Sequence, residues 1–147
     1  MALIDTITKD LKEAMKAKDL VARDTLRMIK AQLTEAEMAK GEKLTEDDEL
    51  QVLSRAVKTR TESAKQYEEG DRQDLADKER AEIAVVQRYL PKPMSEDEIR
   101  EAMKGLAEEL GATSKKDMGK LMQAVMKRYR GQIDGKTASK LAGEILS

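Results

Sequence analysis

Ser114 to Leu146 reads SKKDMGKLMQAVMKRYRGQIDGKTASKLAGEIL. Met118, Met122, Val125 and Tyr129 recur at the spacing of one helical face. At about 100° per residue, Lys116, Lys120, Gln123, Lys127 and Arg130 fall on nearly the opposite face. The pattern predicts a helix over about 115–130 and the turn Gly131-Gln132-Ile133-Asp134-Gly135. A last helix over 136–146 follows, carrying Ala138, Leu141, Ala142 and Ile145. Between Lys115 and Lys140 stand eight Lys/Arg (115, 116, 120, 127, 128, 130, 136 and 140) against Asp117 and Asp134, in a chain of net charge -1. That local excess points to a phosphate-bearing partner.

Upstream, Tyr89-Leu90-Pro91-Lys92-Pro93-Met94 holds both prolines of the chain. Each proline disfavours the α region for the residue before it and cannot continue a helix. The chain is therefore divided here: an N-terminal helical unit over 1–90, a proline hinge over 91–94, and a compact three-helix unit over 95–147. In the second unit, Ser95-Glu96-Asp97-Glu98 is a capping box opening a helix that carries Ile99, Met103, Leu106 and Leu110, and Gly111 ends it.

Four helices are expected before the hinge. The first runs over 3–18 with Leu3, Ile7, Leu11 and Ala14 or Met15 inward; the second, capped by Asp19, runs over 20–40 with Leu20, Leu26, Ile29 and Leu33 inward and stops at Gly41. Thr45, ahead of Glu46-Asp47-Asp48-Glu49, caps a third helix that carries Leu50, Leu53, Val57, Ala64 and Tyr67 and reaches Gly70. A fourth covers 72–90 with Leu75, Ile83, Val86 and Leu90. No segment alternates with period two for long enough to read as a strand, so the fold class is all-α.

Composition agrees: charged residues make up 39% of the 147, and aromatics only 2%. Rich surface charge with Ala, Glu, Lys, Leu and Arg is the composition of long solvated helices. With no Cys, disulfides and thiolate metal sites are excluded; with no His, the commonest general base and metal ligand are missing. No run approaches 18 apolar residues and the N-terminus lacks a signal-peptide core, so a cytoplasmic protein without a membrane segment is expected.

The catalytic inventory is short. Six serines (54, 63, 95, 114, 139 and 147) are present, none in a nucleophile elbow. Ser114-Lys115 and Ser139-Lys140 are adjacent pairs, and neighbours on a helix do not face each other. No catalytic residues, metal or cofactor are assigned. The acids Asp47-Asp48-Glu49 and Glu96-Asp97-Glu98 sit where a helix start favours acids anyway. Gly131 to Thr137 is one residue short of a phosphate-binding nucleotide loop and follows a helix, not a strand. Two readings of it stay open: Gly135, Lys136 and Thr137 meeting one phosphate of a polymer backbone, or a plain Asp/Gly turn with Asp134 as cap.

The nucleic-acid contacts expected are Lys115, Lys116, Lys120, Lys127, Arg128, Arg130 and Lys140, with Gly135, Lys136 and Thr137 at the turn. Tyr129 lies on the apolar face, which disfavours base stacking and favours a folded RNA read through shape and phosphates. Met118, Met122 and Met126 read as core.

Asp117-Met118-Gly119-Lys120-Leu121-Met122, then Gly131 and Asp134-Gly135, resembles the tail domain shared by the YqeY family and the GatB subunit of tRNA-dependent amidotransferases. Tyr89-Leu90-Pro91-Lys92 with Ser95-Glu96-Asp97-Glu98 is similar to the YqeY hinge, and Leu44-Thr45-Glu46-Asp47 and Leu53-Ser54-Arg55 to the YqeY N-terminal half. The chain departs at Gln123, where the family often has Gly, and at Lys127, where it often has Pro. The resemblance implies a tRNA-binding or accessory module related to glutamine-dependent tRNA amidotransferases. The family term is carbon–nitrogen ligase with glutamine as amido-N-donor, although the amidase Ser-Ser-Lys site and a site for activating the acyl group are missing from this sequence. tRNA is the implied partner, with an amidotransferase or a tRNA synthetase as the protein it joins. The alternative expectation is a protein adaptor that clamps a partner helix without RNA.

Overall fold

The computed structural model describes residues 2–146; Met1 and Ser147, the outer limits of the two expected units, lie outside the described residues. Among the described residues the chain is all-α. The elements are α1 (Leu3–Ala17), α2 (Leu20–Lys40), α3 (Glu46–Glu69), α4 (Gln73–Gln87), α5 (Glu96–Leu110), a 3-10 turn at Lys115–Asp117, α6 (Met118–Arg128) and α7 (Gly135–Ile145). Contacts gather them into two compact units, one ending at Leu90 and the other beginning at Pro91.

Local chemistry accounts for the helix ends. Asp19 accepts from the Ala22 N–H at 3.1 Å at the start of α2. Thr45 and Asp48, and likewise Ser95 and Glu98, exchange hydrogen bonds as capping boxes for α3 and α5. Gly41 (φ 81) and Gly111 (φ 67) close α2 and α5 in the left-handed region, where a side chain would be strained. Lys18 takes the same conformation (φ 58) between α1 and α2 without being glycine.

In the first unit α1 packs on α2, α2 on α3 and α4, and α3 on α4. The buried centre includes Ile7, Leu26, Ile29, Leu33, Leu53 and Val86. One expectation shifts here, and one open choice resolves. Leu20 is 58% exposed, because it lies about 180° around α2 from Ile29, and Ala22 takes the inner position. Ala14, not Met15, is the buried residue at the end of α1. The fourth helix stops at Gln87 and not at Leu90: Arg88, Tyr89 and Leu90 donate to carbonyls three residues back, the tightened exit expected just before a proline.

In the second unit α5, α6 and α7 pack pairwise around Ile99, Met103, Leu121, Val125, Leu141 and Leu146. The backbone N–H of Met94 donates to the Gln132 carbonyl at 3.0 Å, and Gln132 Nε2 donates to the Lys92 carbonyl at 3.2 Å. These bonds hold 92–94 against the turn before α7.

Candidate nucleic-acid interface

The expected single helix over 115–130 is a 3-10 turn followed by α6, which ends at Arg128. The front of α6 is organised by Asp117, whose carboxylate accepts from the Thr113 N–H at 3.1 Å and the Ser114 N–H at 3.4 Å. Those backbone donors hold the Asp117 carboxyl below 3.8, with the charge of Lys120 adding to the effect. Tyr129 ends the helix with its N–H on the Val125 carbonyl at 3.0 Å, and Gly131 (φ 84) reverses the chain.

The inner face of α6 is deeper than the sequence pattern indicates. Leu121 and Val125 are fully buried, while Met118, Met122, Met126 and Tyr129 pack around them half-buried. On the outer face Lys120, Gln123 and Lys127, at spacings of three and seven residues, are exposed, and Lys116 is exposed on the preceding turn. Among the described residues Lys115, Lys116 and Lys127 form no ion pair.

The other expected contacts stand differently. Arg128 reaches Glu109 at 3.4 Å and Lys140 reaches Glu96 at 3.5 Å, in exposed pairs of little strength. Both carboxylates belong to α5, so part of the local positive excess is answered within the same unit. Arg130 is half-buried, and its Nε is enclosed with no hydrogen-bond partner. Lys136 is exposed in the first turn of α7. Thr137 donates to the Asp134 carboxylate through both its N–H at 3.3 Å and its hydroxyl at 3.2 Å. Asp134 is thus the N-cap of α7, and it occupies the two donors that a phosphate at this turn would use. A Cβ built on Gly135 meets nothing within 4 Å, so a backbone approach there is open.

Sequence reasoning missed one ionic feature, in the first unit. Arg60 is 5% exposed and donates through Nε to Glu82 at 3.1 Å. Its trace is legible afterwards: Leu53, Ala56, Arg60 and Ala64 form the buried stripe of α3, with the arginine in an apolar series.

The two acidic clusters lie in the first turns of α3 and α5. Asp48 and Glu98 are capping-box carboxylates, and among the described residues no three Asp or Glu converge as a metal site. Among the same residues no helix is long and apolar enough to cross a membrane.

Comparison with known proteins finds relatives along most of the chain. A relative in Pyrenophora tritici-repentis, the mitochondrial "Altered inheritance of mitochondria protein 41", is 28% identical over 98% of this chain and 81% of its own length. Proteins of the same name are 33% identical in Clavispora lusitaniae, over 76% of this chain and 66% of theirs, and 37% identical in Meyerozyma guilliermondii, over 60% and 47%. The cytoplasmic location expected from the sequence therefore meets relatives that are named mitochondrial. The model of the Yqey-like protein family matches residues 4–146, and the chain belongs to that family.

Proposed function

We propose that this protein is an accessory RNA-binding module that holds a folded tRNA through the outer face of α6. The observation that carries the reading is the exposed row Lys116, Lys120, Gln123 and Lys127, set opposite the buried Leu121 and Val125. A rigid helix backed by a core presents these cations without reorganisation, and lysines spaced along a helix suit a phosphate backbone better than base edges. Gln123 adds a neutral donor between them. Lys115, Lys136 and Lys140 extend the basic surface, and Gly135 allows the backbone to come close to a phosphate.

In this reading the carbon–nitrogen ligase chemistry associated with the family resides in an amidotransferase, and the module serves that enzyme or a tRNA synthetase. The module positions the RNA and contributes no reacting group. It works in whichever compartment holds that translation machinery, the cytoplasm or, following the names of the relatives, the mitochondrion. The test is crosslinking in cells followed by sequencing of the bound RNA. Enrichment of tRNA that is lost with Lys120→Glu and Lys127→Glu supports the reading; recovery of no RNA, or of the same RNA with both substitutions, overturns it.

A further inference from the structure

The first unit carries an open trough between α2 and α3, closed at one side by α4, with a volume of about 630 Å³. Along α2 it runs from Met28 to Ala36 and along α3 from Val52 to Ser63. At 1.5 Å per residue these are roughly 12 Å and 16 Å, two to three helical turns. The floor is apolar and small-sided, with Ala36, Val52 and Ala56, and Met28 stands 45% exposed at the lip. Small residues along such a floor let another helix approach closely.

The rim carries one more carboxylate than guanidinium. Glu35, Glu79 and Glu82 line it against Arg55 and Arg60. Arg60 is committed inward: Nε donates to Glu82 at 3.1 Å, Nη1 to the Ala56 carbonyl at 3.0 Å and Nη2 to the Met28 sulfur at 2.8 Å. Glu82 is therefore answered, whereas among the described residues Glu35 and Glu79 form no ion pair. Gln32 Oε1, also in the lining, is buried with no donor. Burial, and then the neighbouring Glu82, push the Glu79 carboxyl above 4.5, outweighing the opposite pull of Arg60 and Lys78.

We infer that this trough is the docking site for an amphipathic helix of a partner protein, its apolar stripe on Ala36, Val52 and Ala56 and a Lys or Arg beside Glu79. The acidic rim disfavours a phosphate backbone, so the surface is separate from the α6 face and does not rest on the RNA reading. A free polyamine would meet the carboxylates but leave the Met28 lip uncovered, whereas a helix covers both.

The experiment follows the Ala36, Val52 and Ala56 methyl resonances of the full chain while a synthetic amphipathic helix of about five turns, leucine-striped and lysine-flanked, is added. The expected result is saturable shifts at those methyls. Glu79→Lys should weaken binding by about tenfold or more, Glu79→Gln by less, and a glutamate-flanked peptide should recover affinity for the Glu79→Lys chain. Lys120→Glu should leave the titration unchanged. Shifts scattered away from the trough, equal affinity with Glu79→Lys, or saturation of the trough by spermine but not by the peptide would each overturn the inference.

Discussion

Arg60 Nε lies 3.1 Å from Glu82 Oε2, with the two side chains 6% and 14% exposed, so a salt bridge joins α3 to α4 largely out of water. In such a pair the desolvation cost rivals the attraction, and the penalty falls on whichever partner is left alone. Arg60→Ala or Glu82→Leu should each destabilise the protein by about 3–5 kcal/mol, while Arg60→Met with Glu82→Leu should be near neutral or stabilising. Urea unfolding of the two single variants and the double variant measures this directly. If the double variant is as damaged as the singles, the pair is a positive source of stability and the argument fails.

The Tyr89 hydroxyl donates to Asp10 Oδ2 at 2.6 Å and ties the exit of α4 to α1. Burial first, then the bond and the charge of Asp10, raise the phenol above its ordinary 10.0. The folded state therefore holds its proton more tightly than the unfolded chain. The resulting stability is fully present below about pH 10 and is lost as pH climbs beyond it. Tyr89→Phe should cost about 1 kcal/mol at neutral pH and flatten this alkaline loss. An unfolding series from pH 8 to 11.5 with no difference in slope between the two proteins would contradict it.

At the other end of the pH scale, Asp48 is lowered from 3.8 to about 2, chiefly by its bond from Lys40 and then by those from Thr45. A depressed carboxylate contributes stability above 3.8 that disappears as pH falls from there toward 2. Asp48→Asn should therefore shift the acid transition and have little effect on its alkaline counterpart. Thr45→Ala, which removes the N-cap hydroxyl of α3, should cost about 1 kcal/mol at pH 7.

Two glycines beside α7 separate fold from function. Gly131 has φ 84, so Gly131→Ala should cost about 1–2 kcal/mol. Gly135 sits in the first turn of α7 with open space where a Cβ would go, so Gly135→Ala should be neutral or raise stability by up to about 1 kcal/mol. If Gly135 is there to let a phosphate approach the backbone, the alanine variant will melt no lower yet bind tRNA more weakly.

Much of this architecture was legible because the helices begin and end on strong local chemistry. Thr45, Ser95 and Asp134 cap as their side chains dictate, and Gly41 and Gly111 stop helices in conformations that suit glycine. Phase was harder to read. Leu20 belongs to the apolar count of α2 but faces outward, because apolar content near a helix start does not fix which way the first residue points. The 3-10 turn at Lys115–Asp117 arises from the hold of Asp117 on two backbone N–H groups, which periodicity does not register.

The basic surface was legible as a face but not residue by residue. Lys120 and Lys127 are exposed as the helical wheel requires, and Lys116 is exposed on the 3-10 turn ahead of them. Pairing of Arg128 with Glu109 and of Lys140 with Glu96 depends on α5 lying alongside, and enclosure of Arg130 Nε depends on packing; all are long-range outcomes. Thr137 was readable either as a phosphate ligand or as part of the Asp134 cap, and the cap holds it.

The most direct test of the RNA reading is the affinity for folded tRNA, by fluorescence anisotropy, across a salt series for the wild-type chain and the Lys120→Glu, Lys127→Glu double variant. Wild type should bind with log K falling steeply and linearly in log salt, and the variant should bind more weakly with a slope shallower by about one for each lysine removed. Salt-independent binding, or a variant that follows the wild-type line, would contradict the account.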